Sequence, residues 1–390
     1  MIPGFYKLSV AARREKLMRG DFGHDDVETL FGPLCDETAC LDRMSENVAG
    51  ALRLPMGVVT GIVVDGVEHV VPMATEEPSV VAAVNRVARL LNAAGGVTTS
   101  VETPVTYAQV MVVVAPESAQ LLTQRIVSDR ERWLDVANRC DPKLVSLGGG
   151  AFDLDVDVLA ATSDWDETFV VSRLHVHTCD AMGANAVNTM AEAVMREMVA
   201  FYAADFDSIE PGMAILTNAS PGRMVTANAR IPFDVASQIC GMDGARFAQL
   251  VSRGSAFAAR SPERAITHNK GILNGVVAAA LAFGQDTRAL SIAAADEACR
   301  TGHHRPLATW RMAHDALCGS LSMPIVAGFV GGVRCCPQYQ AAYRLAGIER
   351  YQTLCGVLAA IGLAQNLGAL WALVTEGIQA GHMKLHKRKE

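Results

Sequence analysis

Between Arg264 and Arg288 the chain reads RAITHNKGILNGVVAAALAFGQDTR, an apolar rod with polar residues at both ends. Ile272 to Phe283 has no polar face, which predicts a buried helix. Arg264, His268, Asn269 and Lys270 sit at one end of the rod and Gln285, Asp286 and Arg288 at the other. A lysine at a low-dielectric helix end can polarise a carbonyl, and a nearby carboxylate can tune its proton. Polar ends that merely reach water produce the same pattern. If the helix is unbroken, Lys270 and Asp286 stand roughly 24 Å apart. Action on one substrate then requires either a backbone that folds back or a residue from a second subunit.

Two other places carry chemistry. Glu77, before Pro78, lies at the mouth of a helix expected over Met73 to Gly96, with Pro78 at its first position. An acid there is stabilised by the helix dipole, by less than about 1 kcal/mol. As a general acid it needs its pKa raised by burial near other acids. Asp180-Ala181-Met182-Gly183-Ala184-Asn185 joins a strand to a helix, where Gly183 admits a ligand to the backbone and free N–H groups suit a pyrophosphate. A tight turn into an amphipathic helix explains it equally, and Gly148-Gly149-Gly150 carries the same ambiguity. His303 and His304 lack a carboxylate at metal-like spacing, and His382 and His386 lack a third ligand, so no metal site is expected.

The elements that hold these groups follow from the pattern. Val58 to Val64 and Val67 to Val71 read as a hairpin around Asp65-Gly66. In the next helix Val80, Val84, Val87 and Leu91 share a face. From Tyr107 to Pro232 the order is strand (Ala108–Val114), helix (Glu117–Asn138), strands (Ala151–Leu159 and Glu167–Thr178), helix (Gly183–Ala203) and strand (Met224–Ile231). This β-α-β-β-α-β order is the ferredoxin-like split pattern. The expected fold is α+β, a mostly helical large domain (1–106 and 233–377) with an inserted ferredoxin-like small domain (107–232).

Composition excludes several classes. A net charge of −7 without a basic cluster before the last residues argues against nucleic acid. The longest uninterrupted apolar run is about a dozen residues, too short for a bilayer. No signal-peptide core precedes the first helix, and the ten cysteines show no CxxC spacing, as expected of reduced thiols in a cytoplasmic protein.

Seven motifs occur in order: ENVAG (46–50), EEPSVVAA (76–83), DAMGANAVNTMAEA (180–193), THNKGILNG (267–275), GQD (284–286), GLAQNLGA (362–369) and VTEGIQAGHM (374–383). Together they resemble the class II 3-hydroxy-3-methylglutaryl-coenzyme A (HMG-CoA) reductases. The resemblance implies interconversion of HMG-CoA with mevalonate and coenzyme A by two nicotinamide hydride transfers. It implies Lys270 as the oxyanion-stabilising ammonium, Glu77 as proton donor, Asp286 as the carboxylate that bonds both, and His382 as the acid for the departing thiolate. Ser79, Arg264 and Asn274 would hold the hydroxymethylglutaryl group. Asp180, Met182, Gly183 and Asn185 would bind the dinucleotide in the small domain. Asp141 falls where NAD-preferring members of the family keep an acid, which bonds ribose hydroxyls and repels a 2′-phosphate, so the resemblance implies NAD over NADP, with Asp153 as the other candidate for that part. The family builds its sites between two subunits, so a homodimer or larger homo-oligomer is expected. Residues 378–390 would be the remnant of a C-terminal lid. Without that lid the alternative is a catalytically weak acyl-CoA or dinucleotide-binding protein; a dehydrogenase with a cysteine nucleophile is a third reading.

Overall fold

The computed structural model describes the chain apart from residues 1, 3, 19–22, 35–39, 207, 332–335, 376 and 378–390. In helix α1 (Val10–Leu17) Arg13 and Arg14 are buried because backbone carbonyls replace their water. Arg13 pairs with Asp42 and donates to Val48 O, while Arg14 donates to Ala49 O and to Phe31 O at the end of α2 (His24–Phe31). The ENVAG segment is thereby fastened to the N-terminal helices.

Strands β1 (Met56–Val64) and β2 (Val67–Ala74) form an antiparallel hairpin closed at Asp65-Gly66. Helix α3 (Val80–Ala93) follows, with Val80, Val84, Val87 and Leu91 buried as their spacing predicts. It starts later than expected. β2 runs on through Ala74, the reversal occupies residues 75–79, and Ser79 is the N-cap in a left-handed conformation (φ 76°). Pro78 therefore lies in the turn rather than at the first helical position.

After β3 (Thr98–Val101) the chain enters a smaller unit. It comprises β4 (Val105–Val114), α4 (Pro116–Ser128), α5 (Arg130–Arg139), α6 (Pro142–Ser146), β5 (Gly150–Leu159), β6 (Thr168–His177), α7 (Ala184–Tyr202) and β7 (Glu210–Leu216). Its sheet has the order β5-β6-β4-β7, every neighbouring pair antiparallel. Residues from Ala108 to Phe206 form a hydrophobic core separate from that of the rest of the chain. The fourth strand is a correction. Met224–Ile231 lies in β8 (Met224–Pro232), which pairs in the other sheet, so the span 107–232 overshoots this unit. β7 reads EPGMAIL, and its Pro and Gly look like a loop; the edge position tolerates them.

Helices α8 (Phe233–Cys240), α9 (Gly244–Arg260), α10 (Pro262–Ala282) and α11 (Thr287–Cys299) return the chain to the larger unit. Two strands absent from the sequence reading follow, β9 (Ala308–Met312) and β10 (Ala316–Pro324). They complete an antiparallel sheet of order β3-β8-β10-β9. β10 is rich in Ala, Gly and Ser, weak strand formers that hide its alternation. α12 (Pro337–Ala346) and α13 (Tyr351–Val374) end the described chain's regular structure. α13 is long and apolar enough to cross a bilayer, but 78% of its most apolar window is buried inside the fold. It crosses α10 at Gly275 and Gly362, where an added Cβ would lie 2.8 Å from Gln365 Cβ and 2.7 Å from Val276 Cγ2. Mixed helix and antiparallel sheet make the chain α+β.

Candidate active site

α10 begins at Pro262 with Ser261 as its N-cap, the Ser261 hydroxyl accepting from Arg264 N. Lys270 is therefore inside a continuous helix and exposed, not at the end of a buried rod. Helical spacing puts Arg264, Thr267, Gly271 and Asn274 on one stripe with Lys270 beside it. This stripe, the 77–79 turn before α3 and one face of α13 enclose a cleft of about 360 Å³. Glu77, Ser79, Arg264, Lys270 and Asn274 all line it, although Ser79 and Arg264 are far apart in sequence. Among the described residues Arg86, Arg264 and Lys270 face one acid there, Glu77, so the cleft favours an anionic ligand.

The cleft also holds polar groups with nothing to bond. Ser79 Oγ and Gln365 Oε1 are buried without a hydrogen-bond partner among the described residues. Buried oxygens are rarely left so, and both sit where a ligand hydroxyl or amide can satisfy them. Gln365 was visible in the sequence as an interruption of an apolar helix, but its role was not.

The residues flanking Lys270 hold the helix. His268 Nε2 lies 3.0 Å from Ala308 O and 3.0 Å from Asn366 Nδ2, and Trp310 Nε1 donates to Asn366 Oδ1 at 3.0 Å. Burial pushes the His268 pKa down to about 4. Asn269 Nδ2 donates to Arg305 O, and Asn269 Oδ1 accepts from Leu307 N.

A second cluster forms at the far end of α10. Asp286 caps α11, its Oδ1 accepting from Arg288 N at 3.0 Å and Ala289 N at 3.1 Å. Burial raises its pKa, but the Ala289 and Arg288 N–H groups and the Arg288 guanidinium outweigh that and hold it below the usual carboxylate value. The unbroken helix leaves about 18 Å between Lys270 and Ala282. Within one chain Asp286 is thus separate from Glu77 and Lys270. It stands instead beside the Asp180–Asn185 turn. Met182 packs against Ala289, Ala293 and Val326, Gln285 exchanges hydrogen bonds with Gly328, and Phe329 N and Val330 N donate to Asp180 O. Asp180 Oδ1 accepts from Tyr351 N, capping α13.

The turn leaves the N–H groups that open α7 without a side-chain cap, the feature an anion such as a pyrophosphate would need. Gly183 is the N-cap of α7 with φ 88° and no side-chain cap, and a Cβ there would lie 2.3 Å from Thr178 Cγ2. Asn185 is exposed in the first helical turn. The Gly148–Gly150 loop adjoins it, His177 Nδ1 lying 3.1 Å from Gly148 O. Asp141 caps α6, accepting from Leu144 N at 2.9 Å. Asp153 is paired with Arg130 at 3.0 Å on the sheet. His382 lies outside the described residues.

Residues 9–387 match the family model for hydroxymethylglutaryl-coenzyme A reductase. The chain is 36% identical to the 3-hydroxy-3-methylglutaryl-coenzyme A reductase of Archaeoglobus fulgidus, over 99% of this chain and 86% of that protein. It is 31% identical to a probable reductase of Borreliella burgdorferi, over 90% of this chain and 78% of that one. Among solved structures it resembles the class II reductase of Streptococcus pneumoniae bound to NADPH, with a TM-score of 0.80 and 36% identity over 89% of this chain and 82% of that one. Over nearly its whole length, the chain is an oxidoreductase belonging to the hydroxymethylglutaryl-coenzyme A reductase family.

Proposed function

We propose that the protein interconverts HMG-CoA with mevalonate and coenzyme A, in two successive two-electron steps at a site shared between two subunits. The observation that carries this reading is the common cleft of Glu77, Ser79, Arg264, Lys270 and Asn274. Arg264 bonds the free carboxylate of the hydroxymethylglutaryl group as a bidentate pair. Ser79 and Asn274 hydrogen-bond the same group and hold the thioester carbonyl against Lys270. Two reduced dinucleotides, bound one after the other, would supply one hydride to the thioester carbon and one to the aldehyde carbon.

Lys270 stabilises the oxyanion left on the hemithioacetal, and later the one on mevaldehyde. Collapse of the hemithioacetal breaks the carbon–sulfur bond, and His382 gives its proton to the departing thiolate. Glu77 gives a proton to the aldehyde oxygen as the second hydride arrives. Asp286, from the partner subunit, bonds Lys270 and Glu77 and sets their protonation. That assignment follows from the separation within one chain, because Asp286 and the dinucleotide turn share one end of α10 and the substrate cleft the other.

The turn at Asp180, Met182, Gly183 and Asn185 holds the dinucleotide, and Asp141 favours NAD by bonding the ribose hydroxyls. The test is absorbance at 340 nm with HMG-CoA and either reduced dinucleotide. Lys270→Ala should lose turnover by about 100-fold or more while still binding the dinucleotide; retained turnover removes Lys270 from the chemistry. Asp141→Ala should lower the ratio of NADH to NADPH efficiency, and an unchanged ratio removes Asp141 from the cofactor site.

A further inference from the structure

Arg223 lies where the chain leaves the smaller unit, in the turn between β7 and β8. It is 1% exposed. Its Nε and Nη2 donate to Thr106 Oγ1 at 3.1 and 2.7 Å. Nη2 also shares Thr178 Oγ1 at 2.6 Å, Met182 O at 2.7 Å and Ala181 O at 3.2 Å. Nη1 donates to Ala327 O at 3.1 Å, and the guanidinium lies 5.7 Å from the Tyr351 ring centre. The acceptors come from β4 and the 178–182 turn of the smaller unit and from the larger unit's 325–330 segment, and every one of them is neutral.

A guanidinium taken out of water is strongly disfavoured unless its N–H groups are bonded. An apolar side chain of similar volume would pin the two units together as well. It could not supply two things. It cannot draw the Ala181 and Met182 carbonyls inward, and it brings no positive charge behind the uncapped N-terminus of α7.

We propose that Arg223 is a positioning residue for the nicotinamide dinucleotide. It sets the shape of the turn preceding Gly183 and lends that turn the charge that favours a pyrophosphate. This rests on the dinucleotide reading given above. The inference also couples cofactor binding to docking of the two units, since the same guanidinium holds Thr106 and Ala327.

The test measures NADH and NADPH affinity by fluorescence, HMG-CoA affinity by calorimetry, and the thermal midpoint, all on full-length protein. Arg223→Met should raise the dinucleotide Kd about tenfold or more and leave the HMG-CoA Kd within about twofold, with Arg223→Lys recovering much of the loss. A dinucleotide Kd within about twofold of wild type, or parallel weakening of both ligands, overturns the inference. Should the Met variant fail to fold, Thr178→Val keeps Arg223 and removes one acceptor; it should weaken dinucleotide binding about threefold, and no change overturns the inference. A wild type that binds neither NADH nor NADPH sinks the dinucleotide reading itself, whereas a binding wild type with unchanged variants sinks only the role of Arg223.

Discussion

At the scale of single residues, the cleft is marked by groups that folding alone leaves unsatisfied. Gln365 is 5% exposed, and its Oε1 has no partner among the described residues. An unbonded buried amide costs about 1–3 kcal/mol, whereas an apolar group of similar shape does not. Gln365→Leu should therefore hold or raise the thermal midpoint while raising the KM for HMG-CoA by about tenfold. A lowered midpoint with an unchanged KM would assign Gln365 to packing alone. Ser79 shows the same signature with strain added, since a non-glycine residue at φ 76° is held by its surroundings.

At the scale of elements, α10 is the part that aims the cationic side chains. His268, Asn269 and the Trp310–Asn366 pair fix it against β9 and α13. Trp310 can only donate, so Asn366 turns its amide NH₂ toward His268. The imidazolium carries N–H at both ring positions, so its Nε2–H meets the Asn366 NH₂ and its Nδ1–H has no acceptor among the described residues. Burial first, and then the charge of Arg264, disfavour that proton, and the Ala308 carbonyl only partly offsets them. The folded pKa of about 4 lies below the ordinary 6.5, so the unfolded chain takes up the proton first. Stability from this group is complete above pH 6.5 and is lost as pH falls from 6.5 to 4, by at most about 3 kcal/mol. Denaturant midpoints of wild type and His268→Gln should converge or cross as pH is lowered through this window. Parallel curves would remove His268 from the acid response.

At the scale of the whole molecule, the candidate site falls into two parts, one along the first half of α10 and one just beyond its C-terminal end. If a dimer joins Lys270 of one copy to Asp286 of the other, two inactive variants can rescue each other. Co-expressed Lys270→Ala and Asp286→Ala chains would give heterodimers with one intact site of two. A random mixture should then show about one quarter of wild-type turnover. No recovery in verified heterodimers would place both residues in the same chain's site or remove Asp286 from it.

Much was legible without coordinates, because it depends on local pattern. The period of Val80, Val84, Val87 and Leu91 marked a buried helix face, Asp65-Gly66 a hairpin, and the alternation of helix and strand an α+β chain with an insert. Ser261-Pro262-Glu263 was a helix start that could have been read, and reading it would have moved Lys270 from the end of α10 into its body. Tertiary structure alone decided the rest. Pairing across a sheet assigns β8 to one unit and the unpromising β7 to the other, and no local signal carries a partner's identity. Likewise nothing near Arg223 in sequence announces Thr106, Met182 or Ala327, because a guanidinium's acceptors are chosen by what folding buries around it.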